Sequence, residues 1–245
     1  MKILTLDIET SPNLAHVWGL WKQDIRGPQL LESTEMLCFA AKWLGSKSVL
    51  FASQFTEGRG SMVRAAHDLL SEADALITYN GKRFDTPHLN REFVQLGLKP
   101  PSPFKQIDLI DTVKSKFKFP SNSLAYVLKT LGLGGKLSHT GHQLWIDCLA
   151  GDAKAWKLME RYNKQDVIRT EQLYKYLLPW INGHPSFGAE TGNDVCPNCG
   201  SDNLQRQGFT YTPTGRYQRY VCECGRWSRA TRRDQGTQIA GVAAS

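Results

Sequence analysis

Apolar and polar residues alternate from Leu4 to Glu9, with Leu4, Leu6 and Ile8 set against Thr5, Asp7 and Glu9. A period of two predicts a β-strand with one buried face. Apolar runs predict further strands over 15–20, 36–43, 49–51 and 75–79, and a short one over 106–109. Residues 21–35 carry no period and read as loop. Then the spacing changes. Met62, Ala65, Ala66, Leu69 and Leu70 recur at intervals of three and four, which predicts a helix over 60–72. Pro87, tolerated in a first helical turn, opens a second helix reaching about residue 96. Residues 111–117 suit a third. Ser121-Asn122-Ser123 offers an N-cap for a fourth, which Gly132 ends. Asp152 caps the longest helix, which runs to about residue 177 with Pro179 just beyond. Strands dominate early and helices late, so the expected class is α/β: a mixed sheet with helices packed on it.

The chain has 245 residues, room for one large domain and a small appendage, and 41% of them are hydrophobic, ample for a packed core. No apolar run approaches a membrane span, and no basic-then-apolar leader precedes the first strand. A cytoplasmic protein with no membrane partner is expected. The formal charge of +7 suits a polyanion such as nucleic acid without establishing one. Cys38 and Cys148 stand singly among apolar neighbours and read as buried small hydrophobes. Cys196, Cys199, Cys222 and Cys224 cluster near the end of the sequence and read as metal ligands, with a disulfide pair as the alternative.

The first strand raises the question of chemistry. Residues i and i+2 of a strand share a face, so Asp7 and Glu9 stand side by side. Carboxylates that close repel each other and call for a cation, unless the face is simply solvated. A second set lies at 77–85, where the Asn80-Gly81 turn delivers Phe84 and Asp85 to the start of a helix. Alone, Asp85 reads more readily as a cap of that helix. A third set is Tyr162 and Asp166, four residues apart on the longest helix and so on one face of it.

Taken in order, Asp-x-Glu, Asn-x-x-x-Phe-Asp and Tyr-x-x-x-Asp resemble the DEDD superfamily of 3′–5′ exonucleases, in its tyrosine-bearing branch. Proofreading domains of DNA polymerases and ribonuclease D belong to that group. The likeness covers roughly residues 1–180 and is nearest to the stand-alone exonucleases of bacteria and phages. It implies a ribonuclease-H-like fold and two Mg²⁺ or Mn²⁺ ions. Asp7, Glu9 and Asp166 match positions that bind one ion. Asp7 also matches a ligand of the other, with Asp85 helping directly or through water. Two cations about 4 Å apart stabilise the attacking and leaving oxygens of an in-line displacement. Tyr162 matches the residue that orients the attacking water, since a phenol of pKa near 10 is a poor base at neutral pH. Thr10, Asn80 and Phe84 are expected to touch nucleic acid, Phe84 by stacking. Lys82 and Arg83 suit either phosphate or a solvated loop, and Asp108 and Asp111 read as structural. The implied activity is release of nucleoside 5′-monophosphates from single-stranded 3′ ends, DNA favoured. The alternatives are an exoribonuclease, a structure-specific endonuclease and a non-catalytic nucleic-acid adaptor.

Cys196-Pro197-Asn198-Cys199-Gly200 is a well-formed knuckle, answered by Cys222-Glu223-Cys224-Gly225 across a predicted hairpin with Thr214-Gly215 at its tip. This resembles a zinc ribbon holding one Zn²⁺, except that the second knuckle is one residue short. Beyond the linker lysine is absent, and arginines, Arg219 and Arg229 among them, are interleaved with Tyr217, Tyr220 and Trp227. Arginine with aromatics suits phosphate contact and base stacking, and docking of a protein partner is the competing use. The expected domains are an exonuclease over 1–182, a linker over 183–193, the ribbon over 194–234 and a disordered tail over 235–245.

Overall fold

A computed structural model describes residues 1–135, 141–237 and 239–240. Residues Lys2–Tyr174 form one compact unit, and Lys175–Ser245 with Met1 form another.

In the first unit the alternating Leu4, Leu6 and Ile8 are buried within β1 (Ile3–Thr10). β1 is the middle strand of a five-stranded sheet. β4 (Met36–Trp43) runs antiparallel on one side and β6 (Ala75–Thr78) parallel on the other. β5 (Leu50–Ser53) lies outside β4 and β7 (Lys105–Asp108) outside β6, giving the order β5-β4-β1-β6-β7. Parallel neighbours need crossovers: α1 (Arg59–Glu72) precedes β6, and α2 (Asp85–Gln95) joins β6 to β7.

The sheet buries both faces. Leu4, Leu6, Ile8 and Phe39 pack with Met62, Val63, Ala66 and Leu70 of α1 and with Leu89 and Phe93 of α2. On the other face Leu37 and Cys38 meet Leu144 and Cys148 of α5 (His142–Leu149), and Ala155, Trp156, Met159 and Tyr162 of α6 (Ala153–Leu177). β4 serves both clusters, which is why it reads as a continuous apolar run and not an alternation. Between the sheet and α5 in the chain lie α3 (Leu109–Lys116), capped by Asp108, and α4 (Leu124–Thr130), capped by Ser123. Asp152 accepts from the Lys154 N–H at 2.7 Å at the start of α6. Among the described residues no helix is long and apolar enough to cross a membrane.

Several expectations change. The strand over 15–20 shrinks to β2 (Leu14–Ala15), which pairs only with β3 (Leu30–Glu32), inside the segment expected to be loop. This small ribbon is separate from the five-stranded sheet, so its apolar residues have no sheet face to enter. α5 was not predicted, because eight residues give too little periodicity to read.

In the second unit, β9 (Gly215–Cys222) pairs antiparallel with β8 (Leu204–Thr212), β10 (Trp227–Arg229) and β11 (Gln235–Gly236). The hairpin turns at Pro213-Thr214, one residue before the expected tip, because Gly215 is already paired with Thr212 as the first residue of β9. The stretch 183–193 carries a short helix, α7 (Phe187–Thr191). β11 falls within the stretch read as a disordered tail. Gln238 and residues 241–245 of that tail lie outside the described residues.

Candidate active site

The ladder between β1 and β6 runs only from Ile3 to Thr5. Past that point β1 continues with β4 alone, at the carboxyl ends of the parallel strands, where open α/β sheets form their crevices. Asp7 and Glu9 lie there, Glu9 opposite Cys38, on the face that packs α6. Asp166 comes in from α6, buried. A carboxylate oxygen from each of Asp7, Glu9 and Asp166 lies within 4.8 Å of the others. Between Glu9 and Thr10 the register slips by one, with Leu37 of β4 as the extra residue, and Thr10 is half-buried.

Asp85 is buried but outside this group of three. It is the first residue of α2, and its Oδ1 accepts the Ile8 N–H at 3.0 Å. It therefore serves β1, not the cap of its own helix: it takes a backbone donor that β6 has left unpaired, between the two acids of the strand. Burial pushes its carboxyl up to about 7, against the pull of the Ile8 and Asp85 N–H groups, and the Asp108 charge adds to the rise. Asp108 is structural, as expected. It accepts from the N–H groups of Asn80 (2.6 Å), Lys82 (3.0 Å) and Ile110 (3.3 Å). These bonds hold Asn80 in a left-handed conformation (φ 71°), one that asparagine tolerates. Gly81 follows because a Cβ there would lie 2.4 Å from that of Thr78. The turn presents Phe84 half-exposed against His88. Lys82 pairs with Asp111 at 2.6 Å.

Tyr162 is buried one turn before Asp166, edge-on to Trp145 with ring centroids 6.1 Å apart. It shares its cluster with Cys38. Burial and then the charges of Glu9 and Asp7 hold the Cys38 thiol well above its ordinary pKa, so it stays neutral beneath the acids.

Sequence reading missed Asn163. It is fully buried, and its Nδ2 donates to Asp7 twice, to Oδ2 at 2.7 Å and to the carbonyl oxygen at 3.3 Å. The Cys38 thiol donates to its Oδ1 at 3.9 Å, which fixes the amide's orientation. The signal was an amide on the buried stripe of α6 between Tyr162 and Asp166, where a side chain must find a partner. Asn163→Ala is expected to weaken divalent-cation affinity or activity by about 10–100-fold, as loss of an orienting partner does. Titrating Mg²⁺ or Mn²⁺ binding by calorimetry checks this: weaker binding marks positioning, and an unchanged curve sinks the role.

Three carboxylates converging on one point, with no Cys or His among them, form a donor set fitting Mg²⁺ or Mn²⁺. The four C-terminal sulfurs also lie within 4.8 Å of one another, with Cys196–Cys224 at 3.8 Å and Cys199–Cys222 at 3.6 Å. A disulfide needs about 2.05 Å. A tetrahedral Zn²⁺ with bonds of about 2.3 Å needs sulfurs about 3.8 Å apart, so the set fits zinc. The short second knuckle still closes, because Gly225 (φ 87°) turns back to the Cys222 carbonyl at 2.9 Å. Burial pushes the Cys224 thiol up to about 11 and that of Cys199 higher.

Arg219 stacks over Trp227 at 4.7 Å and Arg229 over Tyr217 at 4.0 Å. Strand register explains this. Arg229 faces Arg219 and Trp227 faces Val221, which puts all four side chains on the face that Tyr217 shares.

No curated protein matches the chain significantly. Among solved structures its fold is similar to the family B DNA polymerase from the hyperthermophilic archaeon Pyrobaculum calidifontis, with a TM-score of 0.54 and 16% identity over 87% of this chain. The match takes in 31% of the polymerase, so the chain spans about a third of that protein's length, and at this identity the likeness is one of fold. A model of the RNase_H superfamily matches residues 31–178, from β3 to the end of α6. The match begins after Asp7 and Glu9 but includes Asp85, Tyr162, Asn163 and Asp166. With more than half of its residues matched, and with the mixed five-stranded sheet and flanking helices to go with them, the chain belongs to the ribonuclease H superfamily.

Proposed function

We propose that the protein is a metal-dependent 3′–5′ exonuclease that removes nucleoside 5′-monophosphates from single-stranded 3′ ends, with DNA favoured. The observation that carries this is the meeting of Asp7, Glu9 and Asp166 within 4.8 Å at the carboxyl edge of a ribonuclease-H-like sheet. In the proposal these three carboxylates hold one divalent cation, and Asp7 and Asp85 serve a second. When bound, the cations supply charge to the phosphoryl, attacking and leaving oxygens of the scissile phosphodiester.

The protein's residues do the rest. Asn163 holds the Asp7 carboxylate in one orientation. Asp85 anchors β1 between its two acids through the Ile8 N–H. The Tyr162 hydroxyl orients the attacking water without taking its proton. Phe84, half-exposed at the turn, offers a ring to the terminal base, with Thr10 and Asn80 beside the entering strand. In the second unit Arg219 and Arg229 add phosphate contacts, their guanidinium planes already set against Trp227 and Tyr217.

End-labelled single-stranded DNA, duplex DNA and RNA, each with Mg²⁺, Mn²⁺ or EDTA, test this. The expected result is a stepwise ladder from the 3′ end of single-stranded DNA that disappears in EDTA. Tyr162→Phe should keep cation-dependent binding and slow turnover by about 10–10³-fold, as loss of one positioned group does. Internal cuts would instead mark an endonuclease, a ladder on RNA alone an exoribonuclease, and binding without cleavage an adaptor.

A further inference from the structure

The residues beyond Thr10 are not used by this chemistry. β1 leaves Glu9 and Thr10 and passes straight into the β2–β3 ribbon. The base of the ribbon is tied firmly. Ser11 N–H donates to the Glu35 carbonyl at 2.8 Å, Thr34 Oγ1 to the Ser11 carbonyl at 2.6 Å, and His16 N–H to the Gln29 carbonyl at 2.9 Å. Behind it the buried Glu92 of α2 accepts from the Met36 N–H (3.1 Å) and from Arg59 (2.9 and 2.7 Å), which also pairs with Glu35.

The tip is the opposite. Trp18 is 98% exposed, Leu20 87% and Trp21 85%. Isolated exposed apolar residues mean little, but three within four positions concentrate apolar surface on one loop, which is unusual without a partner. The connection from Ala15 to Leu30 is long for a hairpin, the length at which loops tend to be functional. Lys22 takes a left-handed backbone (φ 50°), rare for a side chain of its kind, so a sharp turn follows directly on Trp21.

We propose that this tip is a stacking platform for the unpaired bases of the strand whose 3′ end lies at Asp7, Glu9 and Asp166; this rests on the exonuclease reading above. Continuity with the site selects the occupant. Trp18 is nine residues from Glu9, which at about 3.4 Å per residue keeps it within about 30 Å of the acids, a span that the nucleotides behind the terminal one cover. Two indoles offer faces to bases of any sequence, while Lys22 and Arg26, against the single acid Asp24, suit the phosphates between them. A protein partner would have no need of a surface rooted in the acid-bearing strand.

The test is binding of fluorescein-labelled single-stranded DNA to the full chain by anisotropy, with Ca²⁺ in place of Mg²⁺ to suppress cleavage. Trp18→Ala and Trp21→Ala should each weaken binding by about 5- to 100-fold, the range of one base–aromatic stack. The slope of log affinity against log salt should not change, because neither indole neutralises a phosphate. An abasic strand of equal length should bind wild type and both variants alike. Circular dichroism should show the fold unchanged, since both side chains are at the surface. Unchanged affinity in the double variant, an equal loss on the abasic strand, or failure of the wild type to bind any strand overturns the platform. The two readings separate: a 3′ ladder with unchanged affinity removes only the platform, and base-dependent binding with no ladder removes only the exonuclease.

Discussion

Asp7→Ala is expected to lower cleavage of single-stranded DNA by about 10²–10³-fold, the scale on which losing one preorganised electrostatic group acts on a transition state and above the effect of an orienting partner. Three features single out Asp7. It shares the point where the three carboxylates meet, it receives both Asn163 hydrogen bonds, and it lies where β1 has lost β6 as a neighbour. Stability should not follow activity. Without cation, three carboxylates this close repel one another, and relief of that repulsion should offset the lost Asn163 bond, whose amide keeps the Asp7 carbonyl as acceptor, so melting should change little. Asp85→Ala should separate the two effects. Its carboxylate is the buried acceptor of the Ile8 N–H, so its loss should cost about 1–3 kcal/mol of stability along with activity. Ladder assays beside thermal melts in EDTA read both quantities. Near-normal cleavage by Asp7→Ala would remove the acids from the chemistry altogether.

What the sequence makes legible here depends on how local each signal is. β1, β4 and β6 could be read because a period of two, or an unbroken apolar run, is carried within each strand. Strand and helix periods could pair Asp7 with Glu9 and Tyr162 with Asp166, since they state which side chains share a face, but joining the pairs into one site took the resemblance of the ordered motifs to an exonuclease family. Asp85 could not be decided locally, since a helix-start acid can cap its own helix or reach another strand, and only the end of the β1–β6 ladder leaves the Ile8 N–H for it. Asn163 was hidden because its partner is 156 residues away. The run around Trp18 was misread for a related reason: its apolar character was visible, but whether a surface exists to bury it is a property of the sheet. The pairing of Arg219 with Trp227 and of Arg229 with Tyr217 likewise needs a cross-strand register that composition does not contain.

Removing metal from the four cysteines is expected to unfold β8 to β11 while the five-stranded sheet stays intact. The asymmetry follows from where apolar residues are buried. Within Lys2–Tyr174, two clusters fill both faces of the sheet. Within Lys175–Ser245, the buried hydrophobic residues among those described are Leu177, Ile181, Cys196 and Cys222, and two of these are thiols of the cluster itself. Four side chains cannot offset the chain entropy of a module this size, whereas zinc held by four thiolates contributes about 10–16 kcal/mol. Purified protein should therefore release one zinc per chain to a chelator. Cys222→Ser should abolish that stoichiometry and make the segment after α6 sensitive to protease. The stacks of Arg219 on Trp227 and Arg229 on Tyr217 depend on the pairing of β9 with β10, so they should disappear at the same step. Salt titrations of DNA binding in Ca²⁺ should then fall in slope, by about one unit for each phosphate that the arginines no longer neutralise, and Arg219→Ala and Arg229→Ala should give smaller steps in the same direction. Protease resistance that survives complete metal removal would show that the module folds without its metal. An unchanged salt slope would assign the arginine face to another partner, such as a protein.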